Sequence, residues 1–95
     1  MESKVYTMED WQRDKTLSTA IGQMVDNAVV WELITCMPPT YWHRGVFQVG
    51  EPYTHDKENG RPLYATFEQV NTDGLWQYKG HCLKGQTENR KGWGE

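Results

Sequence analysis

Residues 63–82 constrain the fold more tightly than any other stretch. Two runs, LYATFEQV at 63–70 and LWQYKGHC at 75–82, flank the turn-forming NTDG at 71–74. Both runs are rich in aromatic or β-branched residues and read as strands of a hairpin. Side chains alternate between the faces of a strand, so the register can be worked out on paper. Setting Val70 opposite Leu75 puts Phe67 opposite Tyr78, Ala65 opposite Gly80 and Leu63 opposite Cys82, all on one apolar face. Glu68 with Gln77 and Thr66 with Lys79 then share the other face. A slip of one residue would mix the two sets. Gly80 opposite Ala65 would leave a shallow place where a helix, or Trp31, could sit.

A third strand is expected over 45–49, where Phe47 and Val49 alternate with Gln48 and Gly50-Glu51-Pro52 ends the run. The preceding TYWHRG, 40–45, reads as an aromatic-rich loop. Residues 28–37 predict a helix. Val30, Leu33, Ile34 and Met37 follow the i, i+3, i+4, i+7 spacing of one helical face. Asp26 offers an N-cap carboxylate and Pro38-Pro39 a stop. Val29, Trp31 and Cys36 lie off that face, so the helix needs cover on more than one side. Residues 1–25 could supply it, or a second copy of the chain. Within them, TMEDWQRD at 7–14 forms a short helical turn with Thr7 as N-cap, Asp10 in the capping-box position and Trp11 as anchor. IGQMV at 21–25 is either a short extended piece or a lead-in to the helix.

The expected fold class is α+β, a three-stranded antiparallel meander with one main α-helix packed on it. Residues 1–83 form a single small domain and 84–95, KGQTENRKGWGE, a flexible C-terminal tail. Trp93 in that tail either stays unburied or docks on its own domain or a partner. Only 37% of the 95 residues are hydrophobic, so the five Trp, five Tyr and two Phe must carry much of a thin core. Each ring removes about 150–250 Å² when buried.

Ten basic and thirteen acidic residues give a net charge of −3. There is neither a basic nucleic-acid footprint nor a dense acidic surface that would imitate one. Trp76 and Tyr78 fall on the proposed core face, which removes them from base stacking. No nucleic-acid partner is expected. MESKVYTMEDWQRDKT lacks the apolar core of a signal peptide, and no run approaches the roughly 18 apolar residues of a membrane span. No membrane partner is expected. A cytoplasmic location with Cys36 and Cys82 as reduced thiols is the simplest reading.

Glu51, His55 and Asp56 lie close together in the loop after the 45–49 strand. A histidine tuned by a carboxylate is the usual general acid–base. A polar loop beside Gly and Pro is more simply a solvated turn, with His55 and Asp56 hydrogen-bonding its backbone. Cys36, His43, His55, His81 and Cys82 lack the paired spacing of a zinc site, and His81 and Cys82 point to opposite faces of a strand. Both cysteines read as packed thiols rather than nucleophiles. GRPLYATF opens a strand, so it presents no helix N-terminus to a phosphate. No metal, no cofactor and no catalytic residue are expected.

The block MPPTYWHRGVFQVGEPYTHDKENGRPLYATF followed by GLWQYKG resembles a family of small uncharacterised bacterial proteins of plasmids and other mobile elements. The matching positions are Pro38, Pro39, Phe47, Gly50, Glu51, Pro52, His55, Gly60, Pro62, Tyr64 and Phe67, within residues 25–80. The resemblance implies a bacterial accessory gene and brings no catalytic residues with it.

The functional expectation is therefore a non-enzymatic accessory protein that binds another protein, with a homodimer as an option, and that modulates or inhibits a host system. Aromatic and Arg residues dominate binding hot spots. The expected contact residues are Tyr41, Trp42, Phe47, Tyr53 and Trp93, with Arg44, Glu51 and His55 at the rim. Tyr41, Trp42 and Phe47 have a second reading as completion of the core. The rival reading is a small-ligand-binding or enzymatic domain that uses the Glu51, His55 and Asp56 loop.

Overall fold

A computed structural model describes residues 5–14, 20–37, 39–50, 54–71 and 74–93. In chain order the elements are β1 (Val5–Tyr6), α1 (Met8–Asp14), β2 (Met24–Asp26), α2 (Asn27–Cys36), β3 (Pro39–His43), β4 (Val46–Val49), β5 (His55–Asp56), β6 (Tyr64–Gln69), β7 (Leu75–Cys82) and β8 (Gly92–Trp93). Six strands form one mixed sheet in the order β1-β2-β7-β6-β4-β3, and β5 pairs with β8 in a separate ribbon. Among the described residues, β1 and β2 are the one parallel pair in this sheet. The three-stranded meander with a single helix is thus replaced by a larger sheet with two short helices. The expected strands β4, β6 and β7 are its middle; β1, β2 and β3 extend it on both sides.

Both helices are capped by their own sequence. Thr7 Oγ1 accepts from Asp10 N at 3.4 Å while Asp10 Oδ2 accepts from Thr7 N at 3.0 Å, a capping box with Asp in the acidic position. Asp26, extended at φ −65°, accepts from Ala28 N at 3.0 Å and starts α2. Asn27 N donates to Gly74 O at 2.9 Å, which ties the start of α2 to the head of β7.

Val29, Val30 and Leu33 of α2 pack with Val25, Phe47, Val49, Ala65, Phe67, Trp76 and Tyr78 of the sheet. Tyr6 and Ala20 join this core, and Met8 and Trp11 of α1 pack against its edge. The N-terminal quarter therefore covers part of α2. Val29, read as off the buried face, is inside it. Each fully buried Val, Leu or Phe contributes about 1.5–3 kcal/mol.

The loop expected at 40–45 is a strand and a tight turn. Tyr41, Trp42 and His43 pair with Gln48, Phe47 and Val46, and Arg44-Gly45 closes the hairpin. Both turn residues have positive φ, 52° and 79°, as a type I′ turn requires. Arginine at the first of these positions gives no sequence signal for such a turn.

The β6–β7 register also differs from the paper version. Phe67 faces Tyr78 and Glu68 faces Gln77 as expected, but Thr66 faces Gly80, Ala65 faces His81 and Tyr64 faces Cys82. A bulge at Lys79-Gly80 inserts one residue, with Gly80 at φ +86°. Beyond it the faces of β7 are exchanged. Cys82 leaves the α2 face, and the site beside Gly80 is filled by Asn89, not by the helix. A Cβ on Gly80 would lie 2.3 Å from Asn89 Oδ1, which accepts from His81 N at 2.9 Å.

Residues 83–90 cover the second face of the sheet. Gln48, fully buried, donates through Nε2 to Thr66 Oγ1 at 2.9 Å and Leu83 O at 3.1 Å, and accepts from Gly85 N through Oε1 at 2.8 Å. A buried amide costs free energy unless its polar atoms are matched, and here they are.

Candidate functional site

The Asp56 turn is built around one carboxylate. Glu58 N donates to Oδ1 at 2.9 Å. Arg90 donates to Oδ2 from Nε at 2.8 Å, and its Nη2 lies 2.8 Å from that oxygen and 2.8 Å from Glu58 Oε1. Asp56 is 1% exposed. Such a pair is expensive to bury and strongly favoured once both oxygens are matched. The main chain adds Asp56 N to Arg61 O at 2.7 Å and Gly60 N to Asp56 O at 2.8 Å.

Where sequence reading expects a flexible tail, residues 84–93 lie against the domain. β8 places Trp93 opposite His55 and Gly92 opposite Asp56. The Trp93 and His55 rings stack with centroids 4.9 Å apart at 22°, and Trp93 Nε1 donates to Asp56 O at 3.2 Å. A Cβ on Gly92 would come within 2.7 Å of Thr54 Cγ2 and 3.0 Å of Leu63 Cδ1. His55 Nδ1 is buried with no hydrogen-bond partner. The turn is thus closed by its own chain. Its carboxylate is committed to Arg90 and to Glu58 N. Among the described residues, no three His, Cys, Asp or Glu side chains converge on a metal-sized site. Glu51 and Tyr53 lie outside the described residues.

The remaining expected contact residues separate by depth. Phe47 is fully buried and belongs to the core, so its ring is closed to a partner. Tyr41 is half-buried, with its ring edge-on to His43 at 6.3 Å and against the backbone at Gly85. Arg44 is exposed at the hairpin tip. Trp42, 54% exposed, stands on the edge strand β3, with its ring 4.9 Å from Phe47 and 6.1 Å from Trp76, both edge-on.

A second open indole, absent from the expected set, is Trp31 at 55% exposure. Trp76 Nε1 donates to Asn27 Oδ1 at 2.9 Å. Trp31 sits one turn beyond Asn27, on the flank of α2 that Asn27 joins to Trp76. Trp31 and Trp42 therefore stand on the two elements that border Trp76. The clue lay in the helical wheel, which put Trp31 off the buried face.

No helix among the described residues is long and apolar enough to cross a membrane. Burial holds the Cys82 thiol above its ordinary value, and Cys36 is exposed. Comparison with known protein families, curated proteins and solved structures finds no match for this chain.

Proposed function

We propose that the protein acts without catalysis, by binding another protein through the indoles of Trp42 and Trp31. The observation that carries the reading is that two tryptophans remain more than half exposed beside a well-packed aromatic core. Trp42, held by ring contacts with Phe47 and Trp76, offers large apolar area at little entropic cost, which is the profile of a binding anchor. Arg44 at the hairpin tip supplies a polar rim. On this reading the protein is a bacterial accessory protein that acts in the cytoplasm on a host system, by modulation or inhibition. Self-association across the same surface is the alternative occupant.

The test compares wild type with Trp31→Ala, Trp42→Ala and Glu58→Gln, by affinity capture from a bacterial lysate and by sedimentation. Loss of one specific captured protein, or of a dimer, in both tryptophan variants but not in Glu58→Gln supports the reading. Capture and sedimentation unaffected by either tryptophan change would sink it. The enzymatic alternative makes the reverse prediction: His55→Ala and Glu51→Gln would abolish function while the tryptophan variants retain it.

A further inference from the structure

Pairing of Tyr64 with Cys82 closes the β6–β7 hairpin at the end away from its loop, so the residues before β6 meet those after β7. There Arg61, Pro62, Tyr64, Leu83, Lys84 and Gln86 line a cleft of about 150 Å³. Among the described residues, its lining holds two cations and no carboxylate. The groove around Arg90 is the contrast: Asp56, Glu58 and Glu88 face Lys57, Arg90 and Lys91. Among the described residues, Arg13, Lys79 and Arg90 are engaged by carboxylates, whereas Arg44, Lys57, Arg61, Lys84 and Lys91 enter no ion pair; of these five, Arg61 and Lys84 share a cleft whose described lining has no carboxylate. The Tyr64 hydroxyl and the Gln86 amide likewise have no intramolecular hydrogen bond among them. In a chain of net charge −3, this is a local positive well with four uncommitted donor groups.

We infer that this cleft binds the phosphate group of a phosphate monoester. A guanidinium fork and an ammonium together match a group carrying roughly −1.5 to −2 charge and three acceptor oxygens. A carboxylate has two oxygens and one charge, and would leave a cation unmatched. The volume lies below the roughly 300 Å³ at which whole-ligand pockets begin. It fits one tetrahedral group and the first atoms of its substituent, with Pro62 and Leu83 as apolar walls. The phosphate has two sources, a small phosphorylated metabolite or a phosphorylated side chain of a protein. The cleft does not include Trp31 or Trp42, so the inference stands apart from the protein-binding surface.

The purified chain is titrated at fixed ionic strength with inorganic phosphate, glycerol 3-phosphate and an acetylated, amidated phosphoserine tripeptide, followed by backbone amide shifts. Saturable shifts at Tyr64 and at 83–86 are expected. Arg61→Gln and Lys84→Gln each weaken binding about fivefold or more, as loss of a charge-assisted contact requires. Tyr64→Phe weakens it less, and Lys57→Gln and Trp31→Ala leave it unchanged. Both cation sites are exposed, so these variants keep the melting behaviour of the parent. Tighter binding of the tripeptide assigns the source to a phosphorylated protein, and tighter binding of glycerol 3-phosphate to a metabolite. Absence of saturation with all three probes, or equal weakening by Lys57→Gln, would overturn the assignment.

Discussion

Gly80 is the residue on which the sheet turns. Its positive φ admits the bulge, and the missing Cβ admits Asn89. Gly80→Ala meets both penalties. An L-residue in this backbone region costs about 1–2 kcal/mol before any clash, so a loss of about 2–3 kcal/mol is expected in urea unfolding. Asn89→Gly in the same chain should recover part of it, because the clash vanishes and the φ cost remains. Cys82, on the far side of the bulge, gives a second residue-level prediction. Its thiol ionises above the ordinary value of 9.0 because burial opposes the thiolate. The unfolded chain then ionises first as pH rises. This contribution to stability is intact below pH 9.0 and is lost as pH climbs toward the folded-state value. In a thiol-reagent assay at neutral pH, Cys36 should react at once and Cys82 only on unfolding. Sequence alone placed Cys82 inside but on the wrong face, because a bulge of one residue leaves no trace in a pattern of period two.

At the scale of elements, the local signals were read well where the chain states its own chemistry. Thr7 with Asp10, and Asp26 before Asn27, announce helix starts through side chains that bond their own backbone. The ends of β7 follow from apolar alternation between Gly74 and the Lys84-Gly85 turn. The β3–β4 hairpin was hidden because Arg44 occupies a turn position that normally signals itself with Asn or Asp. Arg44 is strained there, which yields a stabilising prediction. Arg44→Asn should raise stability by about 0.5–1 kcal/mol, since Asn tolerates positive φ. A rise in melting temperature with unchanged sedimentation would confirm it; a fall would mean that the arginine side chain contributes contacts of its own. The site was less legible than the elements. Of the aromatic residues with two sequence readings, contact or core, Trp42 is exposed and Phe47 is buried in the core, and Trp31, which the helical wheel leaves in need of cover, is exposed too. Exposure is set by which strands pair, and of the six strands in the main sheet β1 and β3 have no sequence signal, while β2 has one only as the extended alternative for 21–25.

Across the whole molecule, long-range pairings decide the architecture. β2 lies beside β7, and β8 beside β5, each joining segments far apart in sequence. No short-range pattern encodes such partners, which is why the sheet was underestimated. Arg90 is where the C-terminal stretch is fastened. Arg90→Ala leaves the buried Asp56 with Glu58 N on Oδ1 but no cation on Oδ2, and loss of the partner costs about 3–5 kcal/mol for a fully buried pair. Because a quarter of Arg90 is open to solvent, the lower end, about 3 kcal/mol, is expected in urea unfolding. Hydrogen exchange at 92–93 should rise in the same variant. An unchanged unfolding midpoint would show that water solvates Asp56 freely once the guanidinium is gone.

The seat of β2 on β7 also dictates an order of assembly. β1 rests on β2, and α2 follows it without a break, so the early part of the chain has no platform until the last long strand exists. On a ribosome β2 must wait for its partner through some fifty further residues, the separation between Gln77 and Met24, and until then the apolar face of α2 is covered only in part. Slow emergence or a pause in that interval would therefore expose this protein to sticking and to chaperone capture more than its small size suggests.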